Sequence, residues 1–218
     1  MTLDFTTKMP FSRESFDIVG NMVGVSSVIA VHKSGSYNTL QDFLDAAKAS
    51  ATPVNVGVGS IGNDDHLAGL QFMALSGLKF NLIPFGDNSQ TRNALLGGHV
   101  EVAMMSNAEI GRFVEDLKPL AIAANERDEK LPEVPTFKEL GFNLIAGTTH
   151  IIGIPKGGSE EAKAKWQECL AKVATDPKFL ADAEKRSVSV MYMDAEQAST
   201  HVANQEREYR ELFEKHPW

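Results

Sequence analysis

Residues 54–72 read VNVGVGSIGNDDHLAGLQF. An apolar run, Val54 to Val58, leads into Gly57-Val58-Gly59-Ser60-Ile61-Gly62, a literal G-x-G-x-x-G, and then into a stretch with helical spacing. Glycines between a strand and a helix let backbone N–H groups converge on an anion at the helix N-terminus. A dinucleotide site also needs an acidic residue at the end of the next strand, to hold a ribose hydroxyl. Here that strand, Phe80 to Phe85, ends in Pro84-Phe85-Gly86-Asp87, and Asp87 comes late. Asn63-Asp64-Asp65 follow Gly62 directly, and two carboxylates beside the turn would repel a pyrophosphate. Two other readings stay open. The string is a tight turn with an Asn or Asp N-cap and no ligand, or a cradle for a smaller group such as one carboxylate.

Outward from this stretch, strands and helices alternate. Val25 to His32 has strand character, and Thr39 caps a helix over 40–49. Val54 to Val58 is a strand and 64–76 a helix, with Leu67, Leu70 and Ala74 on one face. Phe80 to Phe85 is a strand. Residues 89–96 form a helix closed by Gly97-Gly98 in left-handed geometry. Val100 to Met105 is a strand, 108–116 a helix and Leu117 to Ala124 a strand. This pitch predicts an α/β layer with a mostly parallel sheet.

The flanks differ. Residues 1–20 have no regular pattern, and 125–143 are polar with a short helix. Leu144 to Ile154 is strand-like. Helices begin at Ser159, at Asp176-Pro177 and at Asp194, each with an N-cap side chain. The first buries Ala162, Trp166, Leu170 and Val173, and the last Ala198, Val202, Tyr209 and Leu212. The expectation is one complete α/β lobe over 25–124. A second, helix-rich and strand-poor part is expected from 1–24 and 125–218.

The 218 residues carry a net charge of -8, which argues against nucleic acid as a partner. No stretch approaches the about 20 apolar residues of a membrane span. The start, MTLDFTTKMPFSRESFDIVG, lacks the basic and apolar regions of a secretory signal. The one cysteine, Cys169, lies near an apolar stripe and is read as a core thiol. Asp64, Asp65 and His66 are consecutive, so they point in different directions and suit capping better than metal binding. No motif for covalent or metal catalysis is present, and no enzyme activity or cofactor is expected.

In open α/β sheets, ligands sit beyond the carboxyl ends of the strands. Those ends are Gly59-Ser60, Phe85-Gly86-Asp87-Asn88-Ser89 and Met105-Ser106-Asn107. Small hydrogen-bonding groups at all of them suit a polar mouth for a small ligand, or simply cap helices. Arg92 can reach this mouth, but an exposed surface arginine accounts for it as well.

The run GSIGNDDHLAGLQFMALSGLKFNLIPFGDNSQTRNALLGGHVEVAMMSNAE resembles the substrate-binding proteins of tripartite tricarboxylate transporters, the Bug or TctC family. There a Gly/Ser-rich turn precedes "HLAG" and a helix ends in "LLGG-x-V-[DE]". KPLAIAANERDEKLPEVPTFKELGF and THIIGIPKG resemble later family segments in the same order. Pro84-Phe85-Gly86 is one residue shorter than the family's usual Pro-Tyr-Lys-Gly. The resemblance implies a type II periplasmic-binding-protein fold whose two lobes close on a small carboxylate or amino acid, serving membrane transporter subunits.

By that resemblance the turn at 59–66 is half of the ligand clamp, giving Gly59, Ser60, Ile61, Gly62, Asn63, Asp64 and His66 as ligand residues, to which the strand-end reading adds Gly86, Asp87, Ser106 and Asn107. His150 stands where an aromatic, often Trp, lines the family's cleft. The resemblance further implies an N-terminally truncated member. The family's signal peptide, first strands and "PxxPGGxxD" turn would be missing, and a homodimer would cover the incomplete lobe. The expected location is the periplasm, or the cytoplasm if the short form is native. The alternatives are the effector domain of a LysR-type regulator, for which no upstream helix-turn-helix is found, and an NAD-dependent oxidoreductase.

Overall fold

The computed structural model describes residues 5, 8–186 and 188–218. Of the irregular lead-in read over 1–20, residues 1–4 and 6–7 lie outside that description. The chain divides into two compact units, one of Met1–Val25 with Thr148–Trp218 and one of Ser26–Gly147. The first strand, β1 (Phe16–His32), runs through that boundary. It starts well before Val25 because Phe16 to Val25 continue the extended backbone.

The Ser26–Gly147 unit is built on a sheet of order β3-β2-β4-β1-β5. Its further strands are β2 (Val54–Val58), β3 (Phe80–Pro84), β4 (Val102–Ser106) and β5 (Leu117–Ile122). Its helices are α1 (Leu40–Ala49), α2 (Asp64–Ser76), α3 (Asn88–Leu96) and α4 (Asn107–Arg112). β2 pairs in parallel with β3 and β4, whereas β1 runs antiparallel to both β4 and β5. The sheet is therefore mixed, not mostly parallel. The strand-helix alternation sets the direction of β2, β3 and β4, but β1 is fed from the other unit and runs against them.

Alternate residues of the central strands serve two cores. Ile29, Val31, Val102 and Met104 join Phe43, Phe72 and Phe137 on one face. Val28, Ala30, Ala103 and Met105 join Ile110 and Leu117 on the other. Both faces are covered, so these strands are apolar without alternation. Helix α2 is buried along Asp65 to Leu70 and at Phe72. Ala74, expected on its buried face, is exposed. Gly69 lets the helix settle on β3, since a Cβ there would lie 3.0 Å from Leu82 Cδ2. The left-handed residue after α3 is Gly98, at φ 71°; Gly97 stays helical.

Residues 125–147 pack inside this unit rather than outside it. Phe137 and Leu144 belong to its core, and the Phe137 N–H donates to the Ile122 carbonyl. The loops of 125–143 thus reach both cores, with Phe137 in one and Leu131 and Val134 in the other.

In the other unit, the first part of β1 pairs with β6 (Gly147–Pro155) and β7 (Ser189–Met193). Three helices follow, α5 (Glu160–Val173), α6 (Pro177–Lys185) and α7 (Ala195–Lys215). Ser159, Asp176 and Asp194 cap them, as their sequences require. Val19, Met22 and Leu170 form the core, with Ile152, Ile154 and Val173 against it. Ala198, Val202, Tyr209 and Leu212 are the buried positions of α7. Helix α5 buries only Leu170. Trp166 is therefore exposed, and so is Cys169, which is not a core thiol.

Candidate functional site

β2, β3 and β4 are parallel neighbours, so their carboxyl ends share one edge of the sheet. The glycine string leaves β2 at that edge. Asn63 caps α2, its side-chain Oδ1 accepting from the His66 N–H at 2.9 Å. The Asn63 N–H donates to the Ser60 carbonyl at 3.0 Å, closing the turn. Gly59 is needed because Asn63 fills the space beside it: a Cβ there would lie 2.0 Å from Asn63 Nδ2. Gly62 takes a left-handed φ of 79°, and its N–H donates to His66 Nδ1 at 3.3 Å. That bond places the ring proton on Nε2, and burial lowers the His66 pKa, so the imidazole is held neutral.

Among the described residues the N–H groups of Ser60 and Ile61 find no backbone acceptor, and both residues are exposed. Those of Asp64 and Asp65 belong to the first turn of α2, where no intrahelical acceptor exists. This is the anion-accepting end of the helix dipole. Asp64 is half-buried beside it, while Asp65 is fully buried. The Ser27 hydroxyl on β1 donates to Asp65 Oδ1 at 2.9 Å. Burial, and then the negative charge of Asp64, push Asp65 from 3.8 up to about 8, against weaker pulls from Ser27 and Asn88. Burial thus favours the neutral form of Asp65. Asp65 turns its carboxyl inward onto Ser27, so of the two carboxylates only Asp64 lies beside the cradle.

The other strand ends supply fixed walls. The Phe85 N–H donates to the Val58 carbonyl, tying the β3 end to the β2 end. Gly86 and Asp87 are exposed. Asp87 Oδ1 caps α3 by accepting from the Gln90 N–H at 2.8 Å, and the Gly86 N–H donates to Gln90 Oε1 at 3.2 Å. Ser106 and Asn107 are buried. Ser106 Oγ accepts from the Glu109 N–H, and Asn107 bridges the Ser26 N–H and Asp128 Oδ2. Arg92 is not a loose surface arginine. It is ion-paired to Glu109 and lies 3.9 Å over the Phe113 ring.

The structure thus brings Gly59 to His66, Gly86, Asp87, Ser106 and Asn107 to one sheet edge. His150 lies on β6 in the other unit, with its side chain exposed. Sequence reasoning passed over Ser27, and took in Asp65 and Asn88 only as members of the polar turns, not as named ligand residues. The signal for Asp65 was present in the doubled acid, but its inward phase was not. Among the described residues, no group of three or more His, Cys, Asp or Glu side chains could hold a metal ion. None of the described helices is long and apolar enough to cross a membrane.

One consequence is direct. Gly59→Ala is expected to expel the Asn63 cap and lower stability by about 1 kcal/mol from the lost cap alone. The urea midpoint of the variant measures it; an unchanged midpoint would mean that the turn tolerates a Cβ beside Asn63.

The profile of the tripartite tricarboxylate transporter family receptors, TctC, matches residues 1–217, and the chain belongs to this family. Its members are receptors rather than enzymes. The "UPF0065 protein in gbd 5'region" of Cupriavidus necator is 26% identical over 216 residues. That match covers 98% of this chain and 66% of that protein, so the chain spans just under two thirds of this relative. A ligand-free TctC solute-binding protein from Polaromonas superposes with a TM-score of 0.85 at 27% identity, covering 98% of this chain and 74% of that one. A Rhodopseudomonas palustris protein solved with adipate superposes at 0.83 with 18% identity, covering 95% and 71%. The fold is that of the TctC and Bug periplasmic binding proteins.

Proposed function

We propose that this chain is the solute-binding receptor of a tripartite tricarboxylate-type uptake system in the periplasm, and that the turn at 59–66 holds one carboxylate of its ligand. The observation that carries this reading is the set of N–H groups, from Ser60, Ile61, Asp64 and Asp65, that have no backbone acceptor among the described residues and lie at the common carboxyl edge of β2, β3 and β4. Their donors and the helix dipole suit an oxygen anion of one small group. Ser60 Oγ adds a side-chain donor at the exposed rim. Burial favours the neutral form of Asp65, which lessens one of the two charges that would oppose it. Membership of a receptor family and the adipate held by a structural neighbour point to the same ligand chemistry.

A carboxylate panel that includes adipate, malate and citrate tests the reading by thermal shift. At a ligand concentration 100 times its dissociation constant, about 2.7 kcal/mol of stabilisation is expected. That corresponds to a rise of several degrees in melting temperature. If no carboxylate moves the transition at millimolar concentration, the reading fails for this chain.

A further inference from the structure

Asn63 caps α2 by accepting from the His66 N–H, yet a second polar residue of the first turn is turned inward. Asp65 is fully buried, and its Oδ1 accepts from Ser27 Oγ on β1. Asn88, the first residue of α3, is near enough to pull on the same carboxyl. Asn88 Oδ1 in turn accepts from the Ser106 N–H, at 3.3 Å, just before α4. Ser27 and Ser106 face each other across β1 and β4. Hydrogen bonds therefore join β1 to the start of α2, and the start of α3 to that of α4. Asp65 Oδ2 is buried without a hydrogen-bond partner among the described residues. A group left so costs stability, and a purely structural site would favour an apolar side chain.

We propose that Asp65 is the positioning residue of the carboxylate cradle: by holding Ser27 on β1, it fixes the first turn of α2 and aims the N–H groups of Ser60, Ile61 and Asp64 at the ligand anion. The assignment rests on the carboxylate reading above. Protonated, Asp65 performs this role without opposing the anion. Ionised, it adds a second negative charge behind the same N–H groups. The groups that bear on its charge are few. Ser27 from β1 and Asn88 from α3 do not titrate in this range, and Asp64 is the charge that reaches it. His66, next to it on α2, is held neutral by burial. Arg92 and Glu109 are committed to each other.

The test uses the full chain as wild type, Asp65→Asn and Asp65→Ala. Carbon and amide resonances are followed from pH 6 to 9.5 without ligand, and adipate affinity is measured by calorimetry over the same range. In the wild type, the Ser60 and Ile61 amides are expected to shift with the midpoint of the Asp65 carboxyl, and adipate affinity to fall at least tenfold through it. Asp65→Asn keeps the neutral hydrogen-bonding shape, so its affinity is expected to stay flat with pH and within a few-fold of the wild type below the midpoint. Asp65→Ala is expected to bind at least tenfold more weakly throughout. Ser60 and Ile61 amides that stay still while Asp65 titrates would overturn the proposal, as would wild-type affinity in Asp65→Ala. If adipate binds no form of the protein, the carboxylate reading is at fault for that ligand, and the amide titration alone decides the role of Asp65.

Discussion

Asp65→Asn is expected to stabilise the protein, and by an amount that grows with pH. In the folded chain the Asp65 carboxyl is raised from 3.8 to about 8. Below pH 4 both folded and unfolded states hold the proton, and the group contributes nothing. Between about pH 4 and 8 the unfolded state releases the proton while the folded state keeps it. The unfolded state then binds fewer protons, so stability falls as pH rises. The slope is about 1.4 kcal/mol per pH unit, and the whole window sums to roughly 5 kcal/mol. Above about pH 8 both states are ionised and the loss levels off. Asparagine keeps the acceptor for Ser27 and cannot ionise. The gap in unfolding free energy between Asp65→Asn and wild type is therefore expected to open steadily from pH 4 to 8. His66, lowered by burial, works in the opposite direction: its contribution is lost as pH falls through the ordinary histidine range. It is common to both proteins and cancels in the difference. Urea unfolding at several pH values measures the gap. A gap that stays constant would show that Asp65 is ionised in the folded chain.

Much of this site was legible in the sequence. The glycine string, the Asn63 cap and the small polar residues at three strand ends are local signals, and local chemistry places them. Thr39, Ser159, Asp176 and Asp194 cap helices for the same reason. What escaped depends on partners far along the chain. Which of Asp64 and Asp65 turns inward is set by the phase of α2 against β1, and the partner, Ser27, lies 38 residues away. Arg92 reads as a surface residue until Glu109 and Phe113 close around it. The antiparallel course of β1 is likewise non-local, because nothing within Val25 to His32 encodes the direction from which the strand arrives. Helical period also misled where a helix is buried on more than one side. The spacing of Leu67, Leu70 and Ala74 suggested a single apolar stripe, but α2 is covered along both flanks of its first half, and its aromatic anchor is Phe72.

That anchor gives the other large expected effect. Phe72 is 1% exposed. It stacks on Phe80 with ring centroids 5.6 Å apart, and meets Phe137 at 5.0 Å and Phe142 at 5.3 Å edge-on. Phe80 lies on β3, whereas Phe137 and Phe142 come from the loops of 125–147, so one side chain joins helix, sheet and cover. Phe72→Ala removes a ring from a close-packed cluster and leaves a cavity, which is expected to cost about 3–5 kcal/mol. Phe72→Leu fills part of the space and is expected to cost less than half of that. The larger loss also tests whether 125–147 folds with the sheet. If it does, the truncation lowers the unfolding free energy of the whole Ser26–Gly147 unit, and amide protection of Ile122 and Phe137 falls together with that of α2. If Phe137 keeps its protection while α2 loses its own, the cover is held by its bonds to β5 rather than by the aromatic cluster. The cradle begins α2 two turns before Phe72, so its N–H groups keep their aim only while both ends of the helix are pinned: the start by Asp65 and Ser27, the far end by this ring.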